Sequence, residues 1–302
     1  MKQAKHLVLG AGPTGTQTAR LLAEAGADVI VVSRRGGGSA QPRIQHVALD
    51  ILNVEALSAL ARASDSSVIY NCAMPRYDRW PQDFPPLAAA VLAATVRSGA
   101  SLVTLSNVYG YGAAPSPLQE ALPMAPTTIK GEVRAQMWRD ALASGARVCE
   151  VRASDFLGSE AVSLFMLFAL ERIVRAEPVS FPGDLEAAHS WTFTRDVART
   201  LVLAANDERS WGRAWHVPSN TASVRDLSAL VARLASAPPP ALSRMSRAHL
   251  EQLAQGDSVL HEVVEMVYLF ERSSVLDSSE TERVLGVRAT ELESVVRDAL
   301  TG

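Results

Sequence analysis

Short apolar runs alternate with helical patterns along the first half of the chain. The runs are rich in β-branched residues and apolar throughout, which is typical of strands buried on both faces of a parallel sheet. The segments between most of these runs place Ala and Leu at helical spacing. The pattern predicts an α/β fold with a doubly wound parallel sheet, whose strands lie at residues 6–10, 28–33, 44–49, 67–72, 101–106 and 147–152.

The alternation becomes irregular after residue 152, where helical spacing dominates. We predict a first domain over residues 1–152 and a smaller, mostly helical lobe over residues 153–302. A strand or two is expected in this lobe, and the strand near residues 214–218 is expected to return to the main sheet. Helices are predicted at residues 161–175, 194–206, 222–235, 246–256 and 258–271.

Composition and charge describe an ordinary soluble globular protein. The 302 residues carry a net charge of −3, and no basic block indicates a nucleic-acid surface. No apolar run is long enough to span a membrane. Cys72 and Cys149 are too few for a disulfide scaffold or a zinc site, so we expect free thiols. Since the chain starts directly in a motif, without room for a signal peptide, we expect a cytoplasmic protein.

The stretch GAGPTG at residues 10–15 matches the pattern G-x-G-x-x-G between the first strand and the first helix. Gly10 permits a tight turn, Gly12 lets the backbone approach a pyrophosphate, and Gly15 allows close packing of helix on sheet. Pro13 and Thr14 open the helix, whose N-terminus favours an anion. The alternative is a glycine-rich turn without a ligand, but the context predicts a dinucleotide site in a Rossmann domain.

The end of the second strand bears on the choice of dinucleotide. An NAD site usually carries an acidic residue here for the ribose 2′-hydroxyl. This chain has Ser33, Arg34 and Arg35 instead, a hydroxyl and two guanidiniums that suit a 2′-phosphate. The pattern favours NADP(H) over NAD(H), and the alternative is a solvated basic turn.

Polar and small residues follow the third and fourth strands. Asp50 lies where a side chain would reach an adenine edge, and it would serve equally as the N-cap of the next helix. Asn71 and Ala73 end the fourth strand at the carboxyl edge of the sheet, where ligands bind in such folds. The small residues there would let a cofactor lie close to the backbone.

The fifth strand ends in SNVYGYG, which offers three hydroxyl groups near the same edge. Ser106, Tyr109 and Tyr111 are therefore candidates for chemistry. The alternative is purely structural, because Ser-Asn and Tyr-Gly are also common in turns.

Lys130 is conspicuous because it is one of only three lysines among 29 basic residues, and the other two, Lys2 and Lys5, stand at the start of the chain. It stands where a helix is predicted to begin. A cation in the first turn opposes the helix dipole, so the position raises the question of what its ammonium does.

The order of these motifs resembles the short-chain dehydrogenase/reductase superfamily, in its extended or atypical branch of nucleotide-sugar epimerases and dehydratases. The resemblance implies a Ser or Thr that orients the substrate and a Tyr that exchanges a proton with it. It also implies a Lys that lowers the pKa of this tyrosine and holds the nicotinamide ribose. It covers essentially the whole chain and includes GAGPTG, Asp50, NCA, LSNVYG, Lys130, RASDFLG, RDVART and LGV.

The resemblance makes Lys130 the family lysine, but it departs at the tyrosine. The superfamily's tyrosine stands four residues before the lysine, and here that position is Pro126. Either Tyr109, Tyr111 or solvent donates the proton instead, or the chain binds a dinucleotide without turnover. His189 is a further candidate acid because a histidine titrates near neutral pH, although an isolated histidine is often a packing residue.

Three functions follow from these patterns. The main prediction is an NADPH-dependent reductase of a small carbonyl or activated-alkene metabolite. The alternatives are a nucleotide-sugar epimerase or dehydratase that retains NAD(P), and a non-catalytic sensor that binds NADP(H). The resemblance also implies a homodimer through the helices at residues 85–98 and 130–143.

Overall fold

The computed structural model describes residues 5–301 of the chain. Long buried strands dominate its first half, and shorter strands follow residue 153. In chain order the strands are β1 (Lys5–Leu9), β2 (Asp28–Ser33), β3 (Ile44–Ala48), β4 (Val68–Asn71), β5 (Ser101–Asn107), β6 (Val148–Ala153), β7 (Asp155–Leu157), β8 (Val179–Pro182), β9 (His189–Phe193), β10 (Arg213–His216), β11 (Asn220–Ala222) and β12 (Leu242–Met245).

Helices connect most of these strands, with short 3-10 turns at Tyr77–Arg79, Tyr109–Tyr111, Glu208–Ser210 and Val267–Leu269 and a π-helical turn at Met166–Leu170. In chain order the helices are α1 (Pro13–Glu24), α2 (Val54–Ala63), α3 (Trp80–Ser98), α4 (Ile129–Ala143), α5 (Glu171–Val174), α6 (Thr194–Ala205), α7 (Val224–Leu234), α8 (Arg247–Ala254), α9 (Ser258–Val264), α10 (Ser279–Leu285) and α11 (Leu292–Ala299).

The main sheet has seven parallel strands in the order β10-β6-β5-β4-β1-β2-β3. From β1 the chain moves first to β2 and β3 on one side and then to β4, β5 and β6 on the other. Such a reversal leaves a crevice at the carboxyl ends of β1 and β4, where ligands bind in open α/β sheets. The predicted doubly wound α/β fold is confirmed.

The two faces of this sheet bury separate cores, because successive side chains on a strand point to opposite faces. On β1, Val8 packs with the core under α1 and α6, whereas Leu7 and Leu9 pack with the core under α2 and α3. All three side chains are fully buried. This double burial is why the strands read as continuous apolar runs.

The second lobe contains more strand than the sequence predicts. A three-stranded sheet in the order β11-β9-β7 and a two-stranded pair of β8 and β12 lie beside its helices. Its core is aromatic, with Phe165, Phe181, Trp191 and Phe270 in contact. β10 and α6, by contrast, come from beyond residue 153 but pack on the main sheet.

Two helices of this lobe differ from prediction. The segment predicted at residues 258–271 is helical only to Val264 and continues as a 3-10 turn, and the segment at 161–175 contains a π-helical turn. Within residues 5–301, none of the helices combines the length and the apolar character that crossing a membrane requires.

Candidate functional site

The glycine loop joins β1 to α1 with the close packing that its sequence predicts. Gly10 has a φ of +98°, and a Cβ on it would lie 2.8 Å from the Cys72 carbonyl oxygen and 2.9 Å from the Ala73 nitrogen. A Cβ on Gly15 would lie 2.0 Å from the Gly10 carbonyl oxygen. Around Gly12, in contrast, no atom of residues 5–301 lies within 4 Å of a built Cβ. The loop is tight at its two ends and open at its middle glycine.

The N-terminus of α1 offers free backbone donors at this opening. Gly12 is the N-cap and Pro13 opens the helix, and no side chain caps it and no acidic residue lies in its first turn. Thr14 is buried beside them, and its carbonyl oxygen accepts a hydrogen bond from the Thr18 hydroxyl at 2.8 Å. Unpaired N–H groups at the positive end of a helix dipole bind anions, so these residues fit a pyrophosphate.

The residues at the end of β2 reach solvent. Arg34 and Arg35 are exposed, and within residues 5–301 neither forms an ion pair. The Ser33 hydroxyl accepts a hydrogen bond from the Gly36 N–H at 3.0 Å, which shapes the turn. The two guanidiniums are therefore available to a ligand.

Asp50 does not cap the helix that follows it. Its carboxylate accepts a hydrogen bond from the Leu52 N–H at 3.0 Å, whereas the N-cap of α2 is Asn53, which accepts from Ala56 at 3.0 Å. The N-cap alternative for Asp50 is thus ruled out. Asn71 is buried at the end of β4, and its side-chain oxygen accepts from the Ala73 N–H at 3.3 Å.

Two buried polar groups lack partners at the carboxyl end of β5. The Ser106 hydroxyl is buried and forms no hydrogen bond within residues 5–301. The same holds for the Nε atom of Arg134, a residue of α4 that the sequence analysis did not single out. Buried polar atoms are nearly always satisfied in folded proteins, so these two groups are free to pair with a ligand or with ordered water.

Lys130 is fully buried at the start of α4, and its ammonium is paired with two carboxylates. Its Nζ atom contacts Glu262 and lies 2.9 Å from the Glu265 Oε1 atom. The Glu265 carboxylate also accepts hydrogen bonds from the backbone N–H groups of Ile129, at 3.0 Å, and Lys130, at 3.3 Å. Lys130 Nζ further lies 4.7 Å from the centre of the Tyr77 ring.

Tyr109 lies in the same cluster. Its hydroxyl lies near the Tyr77 hydroxyl, and Asp155 is close enough to act on both phenols. Burial first, and then the nearby Asp155, raise the pKa of Tyr109 above its ordinary range, and burial raises that of Tyr77 as well. Both phenols therefore stay protonated near neutral pH, where they donate hydrogen bonds and do not act as bases.

His189 extends this group through Asp155. The His189 Nε2 atom lies 2.9 Å from the Asp155 Oδ2 atom, and the imidazole stacks on Phe270 with ring centroids 4.2 Å apart. Its Nδ1 atom is buried without a partner in residues 5–301. We call this set the polar cluster, and it consists of Tyr77, Tyr109, Lys130, Asp155, His189, Glu262 and Glu265.

Tyr111 lies outside the polar cluster, in a buried network of its own. The Arg152 guanidinium donates to its hydroxyl at 2.6 Å, and the hydroxyl lies 2.7 Å from the His216 Nε2 atom. His216 Nδ1 lies 2.9 Å from the Asp277 carbonyl oxygen, so this nitrogen carries the proton and Nε2 accepts from the tyrosine. The Tyr111 hydroxyl is therefore committed to protein partners and is not free to meet a substrate.

His216 is expected to make the fold sensitive to acid. Burial lowers its pKa from 6.5 to about 4. Because the unfolded chain then binds the proton more readily, the stabilisation is fully present above about pH 6.5 and is lost as the pH falls towards 4. Urea unfolding at several pH values should show the free energy of unfolding falling by roughly 3 kcal/mol over this interval.

The variant His216→Gln isolates this histidine from other acid-sensitive groups. It should be less stable at pH 7 but should lose less stability than the wild type between pH 6.5 and 4. Equal losses in both proteins would contradict the assignment.

Three further side chains of the second half of the chain have structural roles. Trp191 and Phe193 belong to the core of the second lobe, and the Trp191 indole donates to the Ala222 carbonyl at 3.0 Å. Asp196 accepts hydrogen bonds from the N–H and hydroxyl of Thr290, each at 2.7 Å, and thereby fixes the segment before α11.

The model of the NAD dependent epimerase/dehydratase family matches residues 6–217. The matched range includes the glycine loop, Ser106 and Lys130. The chain belongs to the NAD dependent epimerase/dehydratase family, and it is an NAD(P)-dependent enzyme of the short-chain dehydrogenase/reductase type. The resemblance that the motifs indicate is confirmed. A sequence search of curated proteins gives no significant match.

Solved structures with this fold include the Bordetella bronchiseptica enzyme WbmH in complex with NAD+, with 20% identity, a TM-score of 0.77, and coverage of 99% of this chain and 98% of that one. The UDP-glucose 4-epimerase of Thermotoga maritima, solved with UDP-glucose, has 18% identity, a TM-score of 0.77 and coverage of 98% and 97%. The UDP-glucuronic acid 4-epimerase of Bacillus cereus, solved with NAD, has 17% identity, a TM-score of 0.78 and coverage of 98% and 97%. At these identities the likeness shows the fold.

The main functional prediction, an NADPH-dependent reductase of a small carbonyl or activated alkene, is wrong. The matching family is one of epimerases and dehydratases, and the similar structures include two UDP-sugar 4-epimerases. These findings favour the alternative of a nucleotide-sugar epimerase or dehydratase. They also leave no support for a non-catalytic sensor.

Proposed function

We propose that this chain is an epimerase or dehydratase of a nucleotide sugar that retains its dinucleotide between turnovers. The observation that carries the proposal is the polar cluster beside unpaired Ser106, at the carboxyl edge of a sheet whose glycine loop is open at Gly12. Family membership and the UDP-sugar ligands of two similar structures support it. By the same proposal the second lobe, residues 153–302, supplies most of the substrate side.

The residues present fit a dinucleotide. The opening at Gly12 and the N-terminus of α1 would hold the pyrophosphate, Asp50 would meet the adenosine half, and Asn71 and Ala73 would line the sheet edge. A dinucleotide bound there would supply reversible hydride transfer at a sugar carbon, and no external reductant would be consumed. Everything else in the reaction is proton handling and orientation by the protein.

The proton has to leave and return at the substrate hydroxyl. Ser106, with its unpaired hydroxyl, would orient the substrate oxygen by a hydrogen bond. Among the other candidates, the Tyr109 phenol and the Lys130 ammonium are donors, whereas the unpaired His189 Nδ1 atom is positioned as an acceptor. We do not propose Tyr111, because its hydroxyl is held by Arg152 and His216.

The test of this function is conversion of nucleotide sugars by the cofactor-loaded protein. UDP-, GDP- and dTDP-hexoses are incubated separately with the enzyme, and the products are identified by NMR. The proposal predicts an epimer, or a product that has lost water, with no net change in NAD(P)H absorbance. A protein that binds the dinucleotide but converts none of these sugars would overturn it.

We also propose that Arg34 and Arg35 read the 2′-phosphate of NADP(H), in preference to NAD(H). Replacing both by alanine should lower the affinity for NADP+ by about tenfold or more while changing that for NAD+ far less, because only NADP+ presents the phosphate. Isothermal titration with both dinucleotides measures the difference.

The matched control for this double variant is Arg172→Ala/Arg175→Ala, which removes two exposed arginines beside α5 and leaves the glycine loop untouched. It should leave both affinities unchanged. Equal losses of NADP+ and NAD+ affinity in the Arg34/Arg35 variant would exclude a role in choosing the dinucleotide.

A homodimer through α3 and α4 is a further part of the proposal. Val96 and Leu142 are 53% and 48% exposed on these helices, and a groove of about 510 Å³ lies between them. Covering apolar side chains of this kind is favourable. Light scattering should give twice the chain mass of 32.3 kDa, and a value of 32.3 kDa would contradict the dimer.

The cytoplasm is the compartment that we propose for this enzyme. Cys72 and Cys149 are both free thiols, and Cys149 is buried. Reduced cysteines are the norm in a reducing compartment.

A further inference from the structure

Arg134 is a buried cation. Its side chain is 1% exposed on α4, and within residues 5–301 no carboxylate forms an ion pair with it. The Arg152 guanidinium, by contrast, is equally buried and pairs with Glu150 at 2.6 Å. Burial lowers the pKa of Arg134 to about 10, so the group remains charged at neutral pH. A buried charge is costly unless its hydrogen-bond donors find acceptors.

The hydrogen bonds of Arg134 are few and long. Its Nη1 atom donates to the Leu105 carbonyl oxygen at 3.3 Å, its Nη2 atom lies 3.7 Å from the Met74 sulfur, and its Nε atom has no partner in the described chain. A guanidinium carries five N–H donors in a rigid fork. Most of this donor capacity is therefore unused.

Aromatic packing fixes the guanidinium in place. Its Cζ atom lies 4.7 Å from the centre of the Trp80 ring and 4.4 Å from that of Phe84. Cation–π contact supports the charge but supplies no hydrogen-bond acceptor. Arg134 is thus held in one orientation with its donors free.

The position of Arg134 identifies the kind of ligand. Leu105 precedes Ser106 on β5, and Met74 follows the end of β4, so the guanidinium lies at the carboxyl edge of adjacent strands. The unpaired Ser106 hydroxyl lies at this same edge. A planar fork of donors matches two neighbouring acceptor oxygens, as a carboxylate, a phosphate or the two hydroxyls of a ribose present them.

We propose that Arg134, and not Lys130, donates hydrogen bonds to the ribose hydroxyls of the nicotinamide half of the dinucleotide. This inference rests on the proposed function for the identity of the ligand. Lys130 lies one helical turn before Arg134, and two of the three donors of its ammonium are already occupied by Glu262 and Glu265. Lys130 and Arg134 are four residues apart, as are the tyrosine and the lysine of Tyr-x-x-x-Lys. In this register Arg134 stands at the place of the lysine, and Lys130 stands at the place of the tyrosine, on the substrate side.

The test compares two ligands that differ in the second ribose. ADP-ribose contains it and ADP does not, so calorimetric titration of both isolates this contact. Arg134→Leu should weaken ADP-ribose binding by about tenfold or more and change ADP binding less than about twofold. Lys130→Met should change the ADP-ribose affinity by less than about threefold.

ADP binding also serves as the measure of folding. If Arg134→Leu does not fold, Arg134→Lys provides the same comparison, and its ADP-ribose affinity should fall relative to ADP because an ammonium cannot form the planar fork. Equal effects on both ligands, or a larger loss in Lys130→Met, would overturn the proposal.

The outcomes separate this inference from the proposed function. A wild type that binds ADP-ribose but converts no nucleotide sugar refutes the function and leaves the Arg134 comparison valid. A wild type that binds neither ADP-ribose nor ADP refutes the dinucleotide site and the Arg134 inference with it.

Discussion

Replacing Gly12 by valine is expected to abolish dinucleotide binding while leaving the protein folded. Gly12 has extended backbone angles, with φ at −75° and ψ at −179°, which any residue adopts. In the part of the chain that the structure describes, nothing lies within 4 Å of its built Cβ, so there is room for the side chain. The new methyl groups would occupy the space in front of the N-terminus of α1, where we place the pyrophosphate.

The expected effect is a loss of NAD+ and NADP+ affinity of about a hundredfold or more, with the free energy of unfolding changed by less than about 1 kcal/mol. Calorimetric titration and urea unfolding measure the two quantities. The control is Gly256→Val, at a second glycine with open space around its Cβ and far along the chain in the loop between α8 and α9. Wild-type affinity in Gly12→Val would show that no ligand approaches this loop.

Replacing Lys130 by methionine is expected to destabilise the fold by roughly 3 kcal/mol at pH 7, because it leaves two carboxylates facing each other without a cation. Lys130 is fully buried, and its partners Glu262 and Glu265 are each 24% exposed. Methionine fills nearly the same volume, so the loss reflects charge more than packing. Urea unfolding measures it directly.

The triple variant Lys130→Met/Glu262→Gln/Glu265→Gln separates charge from packing. Its neutral amides do not repel each other, so it should recover more than half of the stability that Lys130→Met loses. A single variant as stable as the wild type, or a triple variant no better than the single one, would contradict the account of the polar cluster.

The main sheet was predictable because its strands are buried on both faces. Successive residues such as Leu7, Val8 and Leu9 are all buried and therefore all apolar, so each strand is recognisable in the sequence as a continuous apolar run. The short strands β7, β9, β11 and β12 show no such run. They span three to five residues and mix polar with apolar side chains, so their pairing depends on tertiary contacts.

The conformation of the glycine loop was predictable, whereas the arrangement of the polar cluster was not. Tyr109 and Tyr111 are two residues apart on one 3-10 turn. Tyr109 nevertheless lies near Tyr77, whereas the Tyr111 hydroxyl forms a hydrogen bond with His216. Sequence spacing does not show which side of such a turn faces the ligand. The partners of these tyrosines come from other elements of the fold.

The ion-pair partners of Lys130 could not be predicted from the sequence either. Its unfavourable place at the positive end of α4 is offset by Glu265, which binds both the ammonium and the first backbone N–H groups of the helix. The two glutamates lie more than a hundred residues away in sequence, so no local sequence pattern predicts that they pair with Lys130. The spacing of Lys130 and Arg134 can be read from the sequence. Only the structure shows that both side chains are buried, and this burial is what points to a function for the pair.

The most direct test of the account is to identify the small molecules released when the freshly purified protein is denatured, and then to titrate the emptied protein with NAD+ and NADP+. We expect about one dinucleotide for each chain, because an enzyme that recycles its hydride retains its dinucleotide, and we expect the emptied protein to bind it again. A protein that releases no dinucleotide and binds neither NAD+ nor NADP+ would contradict it.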